Sequence, residues 1–443
     1  MSQPKARSSG TNALVGGSDI HSRSMSTLQA KEHSGTLSPL ESRPIRQGMR
    51  RRPSVLLIVF FLFILFPFTQ IIALPSYNQP YAALLGSVII LTIPRAPFLL
   101  PKLDRFMLIY LAVLGGILFL SALPKGLSLR QVSFLLSYVT PLIVTVSCYW
   151  MFLNYAETCR RLLIGAICIW IGVGLVQAII FPDFLTFLAS HSDNLGSTVI
   201  LSGRGVLGLA PEPTHFGFHM LILATTLAIL GGSMWAVCLA LVGAFILAKS
   251  ASALLALALG ILLWACIRPL RRIWVFLAIA VMISLISSLV LLLDESFRIN
   301  RILMAVYETG FEIFLRDYSV NARLSGAFAA FYGFLERFGI PLGMSGESWS
   351  YVRAELLSDF AWIITLSERG PASGVGLILI QGGFFGLPVV IYIFARLVVS
   401  LANSRLGFLA SASFVVFLGQ FYLATPTFGL VLAATILKSR RFI

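Results

Sequence analysis

The chain has 443 residues, of which 58% are hydrophobic and only 12% are charged, and it carries a formal net charge of +15. Soluble domains carry about twice that share of charged residues, so the composition excludes a soluble globular protein and predicts a polytopic membrane protein. The five cysteines lie in or beside apolar runs, and no disulfide framework is expected.

Residues 1–54 form a polar segment that is rich in Ser, Gly, Arg and Lys and ends in Arg50, Arg51 and Arg52 before the first apolar run. It is too long and polar for the start of a signal peptide, and no small-residue cleavage site follows that run. We interpret it as a disordered basic cytoplasmic tail, which either only fixes the topology or also contacts anionic lipid or a partner.

Two regions, 55–293 and 373–443, contain apolar runs that suit transmembrane helices, which need about 20 residues each or somewhat fewer inside a bundle. About twelve spans are predicted in this way. They are Val55–Pro75, Tyr81–Ile93, Phe106–Leu123, Gln131–Leu153, Leu162–Phe181, Pro213–Leu230, Met234–Ala248, Ala251–Ile267, Ile273–Leu293, Ser373–Ala395, Leu406–Ala424 and Thr427–Leu437.

The charges between these spans predict the orientation. With the N-terminus inside, the inner side carries +17 and the outer side −2, which together make the net charge of +15. This asymmetry follows the positive-inside rule, so both termini are predicted to be cytoplasmic. The basic balance is then explained by topology, and a nucleic-acid partner is not expected.

Two polar segments lie on the predicted outer side, residues 182–212 and residues 294–372. The second is too long for a simple connection and is expected to carry structure. Apolar residues at helical spacing predict amphipathic helices over Asn300–Leu315 and Val320–Phe338, lying on the membrane or capping the bundle. Gly339 to Gly343 ends the second of these, and a third helix is predicted over Tyr351–Ser367.

The stretch Leu201–His219 places ionisable residues between two apolar runs, where charge is costly and is therefore a candidate functional feature. Arg204 lies among glycines, and its planar guanidinium suits a phosphate at the membrane edge, although it could also snorkel to lipid headgroups. Glu212 lies between two prolines at a predicted helix start. It is a candidate general base or an anchor for an arginine, or it simply compensates the helix dipole.

His215 and His219 share one helix face with Glu212, at a spacing that a metal site could use. No acidic cluster or external cysteine completes such a site, so no metal is predicted. His215 is the better candidate for proton transfer, and His219 is interpreted as a packing residue. Lys249 stands alone at the outer ends of two spans, either as an interfacial anchor or as a second phosphate contact.

The external loop adds two candidate substrate-binding cations. Arg323 opens the predicted helix over Val320–Phe338, and Arg301 lies in the predicted helix before it. The other loop arginines alternate with acidic residues and are interpreted as ion-paired surface groups. The sequence contains no nucleotide-binding loop, zinc motif or nucleophile elbow, so a substrate would have to arrive already activated.

Residues 203–217, with the sequence GRGVLGLAPEPTHFG, resemble the O-antigen polymerase and ligase superfamily. Three further features agree with this resemblance, namely the Lys249–Ser252 stretch that opens a span, the PLGMSG sequence over 341–346 after Arg323, and QGGFFGL over 381–387 in a late span. The family usually carries Ser-Arg where this chain has Lys249, which weakens a specific role for that lysine. The resemblance covers the chain from Val55 onward.

The resemblance implies a GT-C-like, all-α membrane glycosyltransferase of the bacterial inner membrane, independent of metals and cofactors. It would act at the periplasmic face on oligosaccharides carried by undecaprenyl pyrophosphate. By the same resemblance, Arg204 and Arg323 would bind the leaving pyrophosphate, and Glu212 or His215 would position or deprotonate the acceptor hydroxyl. A chain-length regulator and a flippase are the candidate protein partners.

Ligases of this family usually carry a histidine after the large loop, whereas this chain reads GPASG over 370–374. That departure favours a repeat-unit polymerase over a ligase. A transporter or flippase for a lipid-linked sugar is the alternative from a different class, and it would place charges in the middle of several spans. Here the ionisable residues gather at the predicted outer face, which favours an enzyme.

Overall fold

The computed structural model describes residues 53–72, 79–189, 196–201, 203–267, 318–368, 370–371, 373–404, 406–419 and 421–440. Within these ranges the chain folds into fourteen α-helices and has no β-strand, apart from a single bridge between Thr69 and Ala189. The predicted all-α fold is confirmed for this part of the chain. The predicted tail, the span Ile273–Leu293 and the loop helix Asn300–Leu315 lie outside the described residues.

The described part of the chain contains the following helices, in chain order. They are α1 (Val55–Leu65), α2 (Tyr81–Thr92), α3 (Lys102–Ala122), α4 (Leu129–Ile179), α5 (Gly196–Leu201), α6 (Pro213–Ile229), α7 (Met234–Val242), α8 (Ala251–Ile267), α9 (Tyr318–Glu336), α10 (Gly346–Asp359), α11 (Gly374–Gly382), α12 (Leu387–Phe394), α13 (Gly407–Gly419) and α14 (Pro426–Arg440). Single π-helical turns extend α7 over Gly243–Leu247 and α12 over Ala395–Val399.

Three predicted spans differ from the observed helices in where the helix is continuous or broken. The spans Gln131–Leu153 and Leu162–Phe181 form one helix, α4, which is kinked where Tyr155 leaves helical geometry at φ −136° and ψ 37°. The late span Ser373–Ala395 is broken into α11 and α12, because Gly383 adopts a positive φ of 54°. A side chain at Gly383 would also collide with the Gly339 carbonyl oxygen, which a Cβ would approach to 2.2 Å.

Two helices, α3 and α4, are long and apolar enough to span a membrane by length and composition. Much of the apolar surface also faces outward. On α3, large apolar side chains one or two turns apart are exposed, including Phe106, Val113, Ile117 and Leu120. Water would disfavour such a continuous apolar helix face, whereas lipid would not.

The interior is packed closely through small residues. A Cβ on Gly260 of α8 would lie 2.4 Å from the backbone nitrogen of Ala412 in α13, so these two helices approach backbone to backbone. A Cβ on Gly115 of α3 would lie 2.3 Å from the Cβ of Tyr138 in α4, so here helix backbone packs on a side chain. Small residues at helix crossings are typical of membrane helix bundles, where dispersion contacts replace the hydrophobic effect.

Hydrogen bonds between helix ends define two ends of the bundle. Gln177, near the end of α4, bonds to Gly208 ahead of α6, and we call this the motif end. Arg160, just past the α4 kink, donates to the carbonyl of Leu230 just after α6, and this is the opposite end. The second half of α4 and α6 therefore run antiparallel, as the alternation of predicted spans requires.

Helix α8 runs between the same two ends. Ser250, immediately before α8, packs against Gly217 in the first turns of α6, at the motif end. Trp264, near the last turn of α8, donates from its indole nitrogen to the Ala402 carbonyl at 3.0 Å. The turn that follows α12 therefore lies at the opposite end.

The helices of the predicted external loop share a small core, to which Ile380 of α11 also contributes. Helix α9 corresponds to the predicted helix Val320–Phe338, and it packs against α11 and α13. Helix α10 covers Gly346–Asp359, so it begins and ends earlier than the predicted helix Tyr351–Ser367. Side chains of α9, of α10 and of the segment that follows α10 are buried against one another, among them Ala329, Trp349 and Leu356. The predicted break after α9 is confirmed, and there Leu342 donates its N–H to the Ile380 carbonyl of α11.

A buried ion pair fixes α3 to α12 at the opposite end. Asp104, in the first turn of α3, is fully buried and accepts two parallel hydrogen bonds from Arg396, at 2.6 Å from Nε and 2.8 Å from Nη2. The hydroxyl of Tyr392 donates a third bond to the same carboxylate at 2.8 Å. The two residues of the pair lie 292 positions apart, so this contact ties the early helices to the late ones.

We predict that Arg396→Ala lowers the free energy of unfolding by about 3–5 kcal/mol, because it leaves the buried Asp104 carboxylate without its partner. Thermal unfolding of the detergent-purified protein measures the change. Arg161→Ala is the matched control, since Arg161 is 78% exposed and pairs only with Glu157. Such a surface pair contributes about 1 kcal/mol or less. Equal losses in the two variants would contradict an anchoring role for the Asp104 pair.

Candidate functional site

A glycine-rich loop precedes α6 at the motif end, and its backbone lies against the residues that precede α8. A Cβ on Gly205 would lie 2.2 Å from the Ala248 carbonyl carbon, so only glycine fits at this position. The next residue, Val206, donates its N–H to the Leu247 carbonyl at 2.9 Å. Gly203 and Gly208, on either side, adopt positive φ values of 74° and 59°.

This contact brings the segments of two predicted substrate-binding cations together. Arg204 immediately precedes Gly205, and Lys249 immediately follows Ala248, so the two lie on adjacent backbones. Both side chains are half-buried. Lys249 adopts a φ of 45°, which a residue with a side chain adopts only when its surroundings impose it. The arrangement can offer two positive charges to one anionic group.

Glu212 is the residue that caps the N-terminus of α6, with Pro213 in the first helical position, as the sequence predicts. Its carboxylate makes no capping hydrogen bond to the helix. Instead Oε2 lies 4.0 Å from Nδ1 of His215, which is one turn further along, and about a third of the Glu212 side chain is exposed. A carboxylate in this position can accept a proton from a hydroxyl group that approaches from outside the bundle.

Aromatic rings hold His215 in place. Its ring centroid lies 5.7 Å from that of Phe68 and 5.5 Å from that of Phe421, and the side chain is only 14% exposed. Phe421 in turn accepts a backbone hydrogen bond from Gly374 at the start of α11. Gly374, the last residue of the segment in which ligases of the resembled family carry a histidine, is therefore bonded to a residue whose ring contacts His215.

His219 is a packing residue in this structure. It is fully buried, its Nε2 lies 2.9 Å from the Leu65 carbonyl oxygen, and its ring packs on Trp170 at 4.8 Å. Because a carbonyl only accepts, Nε2 carries the proton in this contact. Trp170 donates to the same Leu65 carbonyl at 3.0 Å, so the end of α1 is fixed by two side chains.

One residue that the sequence analysis does not single out, Gln177, holds the glycine loop in place. Its Oε1 accepts from the Gly208 N–H at 2.7 Å, and its Nε2 donates to the carbonyls of Gly208 at 2.8 Å and Phe184 at 2.7 Å. The side chain thus pairs with Gly208 as another backbone would, and it is almost completely buried. Nothing local in the sequence indicates this pairing, because Gln177 lies within an apolar run.

The placement of the two loop arginines relative to this cluster lies outside the described part of the chain. Arg323 lies in α9, and its side chain is outside the described part of the chain, as is the whole of Arg301. The start of α9 is fixed by Asn321, which donates to the Trp362 carbonyl at 2.6 Å and accepts from the Ile364 N–H at 3.0 Å. The predicted roles of Arg323 and Arg301 in substrate binding remain predictions.

Within the described ranges, no group of three or more His, Cys, Asp or Glu side chains is arranged to hold a metal ion. The five cysteines are free thiols there, and Cys148 and Cys159 are buried.

Comparison of the chain with family models, with curated proteins and with solved structures finds no match. The resemblance to the O-antigen polymerase and ligase superfamily therefore stays a prediction from the motifs of residues 203–217 and the three later features.

We predict that Gln177→Leu lowers the free energy of unfolding by about 1–3 kcal/mol, because it leaves the buried N–H and carbonyl of Gly208 without partners. Gln177→Glu should also be destabilising, since a carboxylate cannot donate to the Gly208 and Phe184 carbonyls. Thermal unfolding in detergent measures both. Gln70→Leu, at the same end of the bundle, is the control, since Gln70 is half-buried and only its backbone N–H is bonded, to the Leu188 carbonyl. A Gln177 variant that is as stable as the control would contradict the conclusion that the Gln177 side chain holds the glycine loop in place.

Proposed function

We propose that the protein is a membrane glycosyltransferase that polymerises oligosaccharide repeat units carried on undecaprenyl pyrophosphate, during O-antigen or exopolysaccharide biosynthesis. The observation that carries the proposal is the contact between Gly205 and Ala248. It sets Arg204 and Lys249 on neighbouring segments beside the helix end that presents Glu212 and His215.

Placement in the bacterial inner membrane, with the motif end outside, is part of the proposal. Its support is the apolar character of α3 and α4, the outward-facing apolar side chains, and the charge asymmetry between the predicted sides. Cations such as Arg95, Lys102 and Arg161 belong to the predicted inner side, which is the opposite end of the bundle. A lipid carrier spanning the bilayer would then present its pyrophosphate at the level of the motif end.

The cations would act on the leaving group. As the bond between the anomeric carbon and the phosphate oxygen breaks, negative charge develops on the pyrophosphate that remains attached to the lipid. A guanidinium at Arg204 and an ammonium at Lys249 would stabilise this charge more strongly in the transition state than in the ground state. Because the guanidinium donates two parallel hydrogen bonds, Arg204 suits a phosphate better than a lysine would.

Glu212 would act on the acceptor. The hydroxyl oxygen of the acceptor sugar attacks the anomeric carbon of the donor, and its proton passes to the Glu212 carboxylate or to His215. His215, 4.0 Å from that carboxylate, would either receive the proton or hold the carboxylate in position. The net result is a new glycosidic bond, a free lipid pyrophosphate and one proton released to the outer face.

The polymerase is preferred to a ligase because residues 370–374 contain no histidine. It is preferred to a transporter because the described candidates Arg204, Lys249, Glu212 and His215 lie at one end of the bundle. The product distinguishes the three activities. A polymerase lengthens the lipid-linked glycan, a ligase moves it once to another acceptor, and a transporter changes only its side of the membrane.

We predict that purified protein reconstituted with lipid-linked repeat units lengthens them without nucleotide, metal or a transmembrane gradient. Glu212→Gln should lower the rate of chain lengthening by about 10²–10⁴-fold, the contribution typical of a general base. Arg204→Ala should lower it by about 10²–10³-fold through the loss of charge stabilisation. Chain length is followed by gel electrophoresis or mass spectrometry of the released glycans.

Glu157→Gln is the matched control, because Glu157 is an exposed carboxylate at the opposite end that pairs with Arg160 and Arg161. It should retain full activity. If both Glu212→Gln and Arg204→Ala lengthened chains at the native rate, the assignment of these residues to the active site would be wrong. If the native protein lengthened no lipid-linked unit, the proposed reaction itself would be wrong.

A further inference from the structure

The connection from α2 to α3 forms a distinct surface at the opposite end of the bundle, which we call the α2–α3 corner (residues 95–106). A 3₁₀ turn over Ala96–Leu99 leads through Pro101 into α3. Since Asp104 in the first turn of α3 is paired with Arg396, the corner lies at the end that is remote from Glu212 and Arg204. It therefore plays no part in the candidate site.

Large apolar side chains project outward from this corner. Phe98 is 71% exposed, Leu103 58% and Phe106 63%, and Leu99 is also exposed. Phe106 begins the exposed apolar face that continues along α3, so the corner forms the terminus of that face. Side chains of this kind at the end of a membrane helix suit the boundary between acyl chains and headgroups.

Three cations lie among these apolar side chains. Arg95 and Lys102 are exposed, and the guanidinium of Arg105 lies 5.1 Å above the ring of Phe98. The one acidic residue of the corner, Asp104, is fully buried in its pair with Arg396 and cannot neutralise them. In the described part of the chain none of the three forms an ion pair, so the surface carries three uncompensated positive charges.

We propose that the α2–α3 corner is a binding site for the phosphate headgroups of anionic phospholipids in the leaflet opposite to the candidate site. Cations above exposed apolar side chains match a lipid that presents a phosphate above its acyl carbons. An acidic protein segment would satisfy the charges but would leave Phe98, Leu103 and Phe106 against a polar surface. The proposal rests on the membrane placement and is independent of the polymerase reaction.

Because Asp104 faces inward, the corner differs from the described arginines Arg160 and Arg161 at the same end. Arg161 and Arg160, by contrast, share the carboxylate of Glu157 at 2.9 and 3.2 Å, so their charge is partly compensated. Anionic lipid should therefore collect at the corner rather than uniformly along the basic end.

The test uses the full chain purified in detergent and equilibrated with an equal mixture of phosphatidylglycerol and phosphatidylcholine. Native mass spectrometry gives the ratio of the two lipids bound to the protein. In the variant R95Q/K102Q/R105Q the ratio of phosphatidylglycerol to phosphatidylcholine should fall about fivefold or more, since each cation near a headgroup favours anionic lipid several-fold. Lys438 and Arg440 lie in the last turn of α14, where Arg440 donates to the Tyr149 hydroxyl of α4. The control R161Q/K438Q/R440Q therefore removes three charges from the same end and should change the ratio less than about twofold.

An equal fall in both variants would overturn the proposal, because it would show that lipid responds to the total charge of this end. An unchanged ratio in R95Q/K102Q/R105Q would overturn it as well and would leave an acidic protein segment as the occupant of the corner. Thermal unfolding in phosphatidylcholine alone checks that the variants fold. If the triple variant does not fold, the single variant Lys102→Gln replaces it, because Lys102 is exposed. This variant should by itself lower the ratio of phosphatidylglycerol to phosphatidylcholine, and an unchanged ratio would contradict the proposal. Soluble glycerol phosphate should not displace bound phosphatidylglycerol, because it has no acyl chains to contact the exposed apolar side chains of the corner.

Discussion

The glycine loop and the segment before α8 touch backbone to backbone, and the candidate site depends on that contact. Gly205 approaches Ala248 so closely that no side chain fits between them, and Val206 adds a hydrogen bond to Leu247. Arg204 and Lys249 flank this contact, one on each segment. Backbone sterics alone therefore bring the segments of the two cations together, and no attraction between them is required.

Other contacts fix the loop to the rest of the bundle. Gln177 binds Gly208 through both groups of its amide, so the loop is held against the end of α4. On the other side, Gly217 lies against Ser250, which sets the start of α6 beside the start of α8. Since Glu212 immediately precedes α6 as its N-cap residue, its position follows from these contacts, and its carboxylate makes no capping hydrogen bond to the helix.

Local features of the sequence predict the helices well where their ends carry a physical signal. The predicted span Pro213–Leu230 and the observed α6, Pro213–Ile229, begin at the same residue because proline suits the first turn of a helix. The gap between the predicted spans Gln131–Leu153 and Leu162–Phe181 contains the kink of α4 at Tyr155, but the helix continues through it, which the polar residues of the gap do not indicate. The sequence does not predict the Gln177–Gly208 hydrogen bonds or the Asp104–Arg396 pair. Their partners are 31 and 292 residues apart, respectively, and only the packing of helices brings them together.

The most direct test of the account is a cryo-electron microscopy structure of the protein with a lipid-linked pyrophosphate in a lipid nanodisc. The account predicts phosphate density within hydrogen-bonding distance, about 3 Å, of the Arg204 guanidinium, beside Lys249 and on the same face as the Glu212 carboxylate. Pyrophosphate density bound elsewhere, with Arg204 turned toward ordinary lipid headgroups, would contradict the central claim that the glycine loop forms the phosphate site.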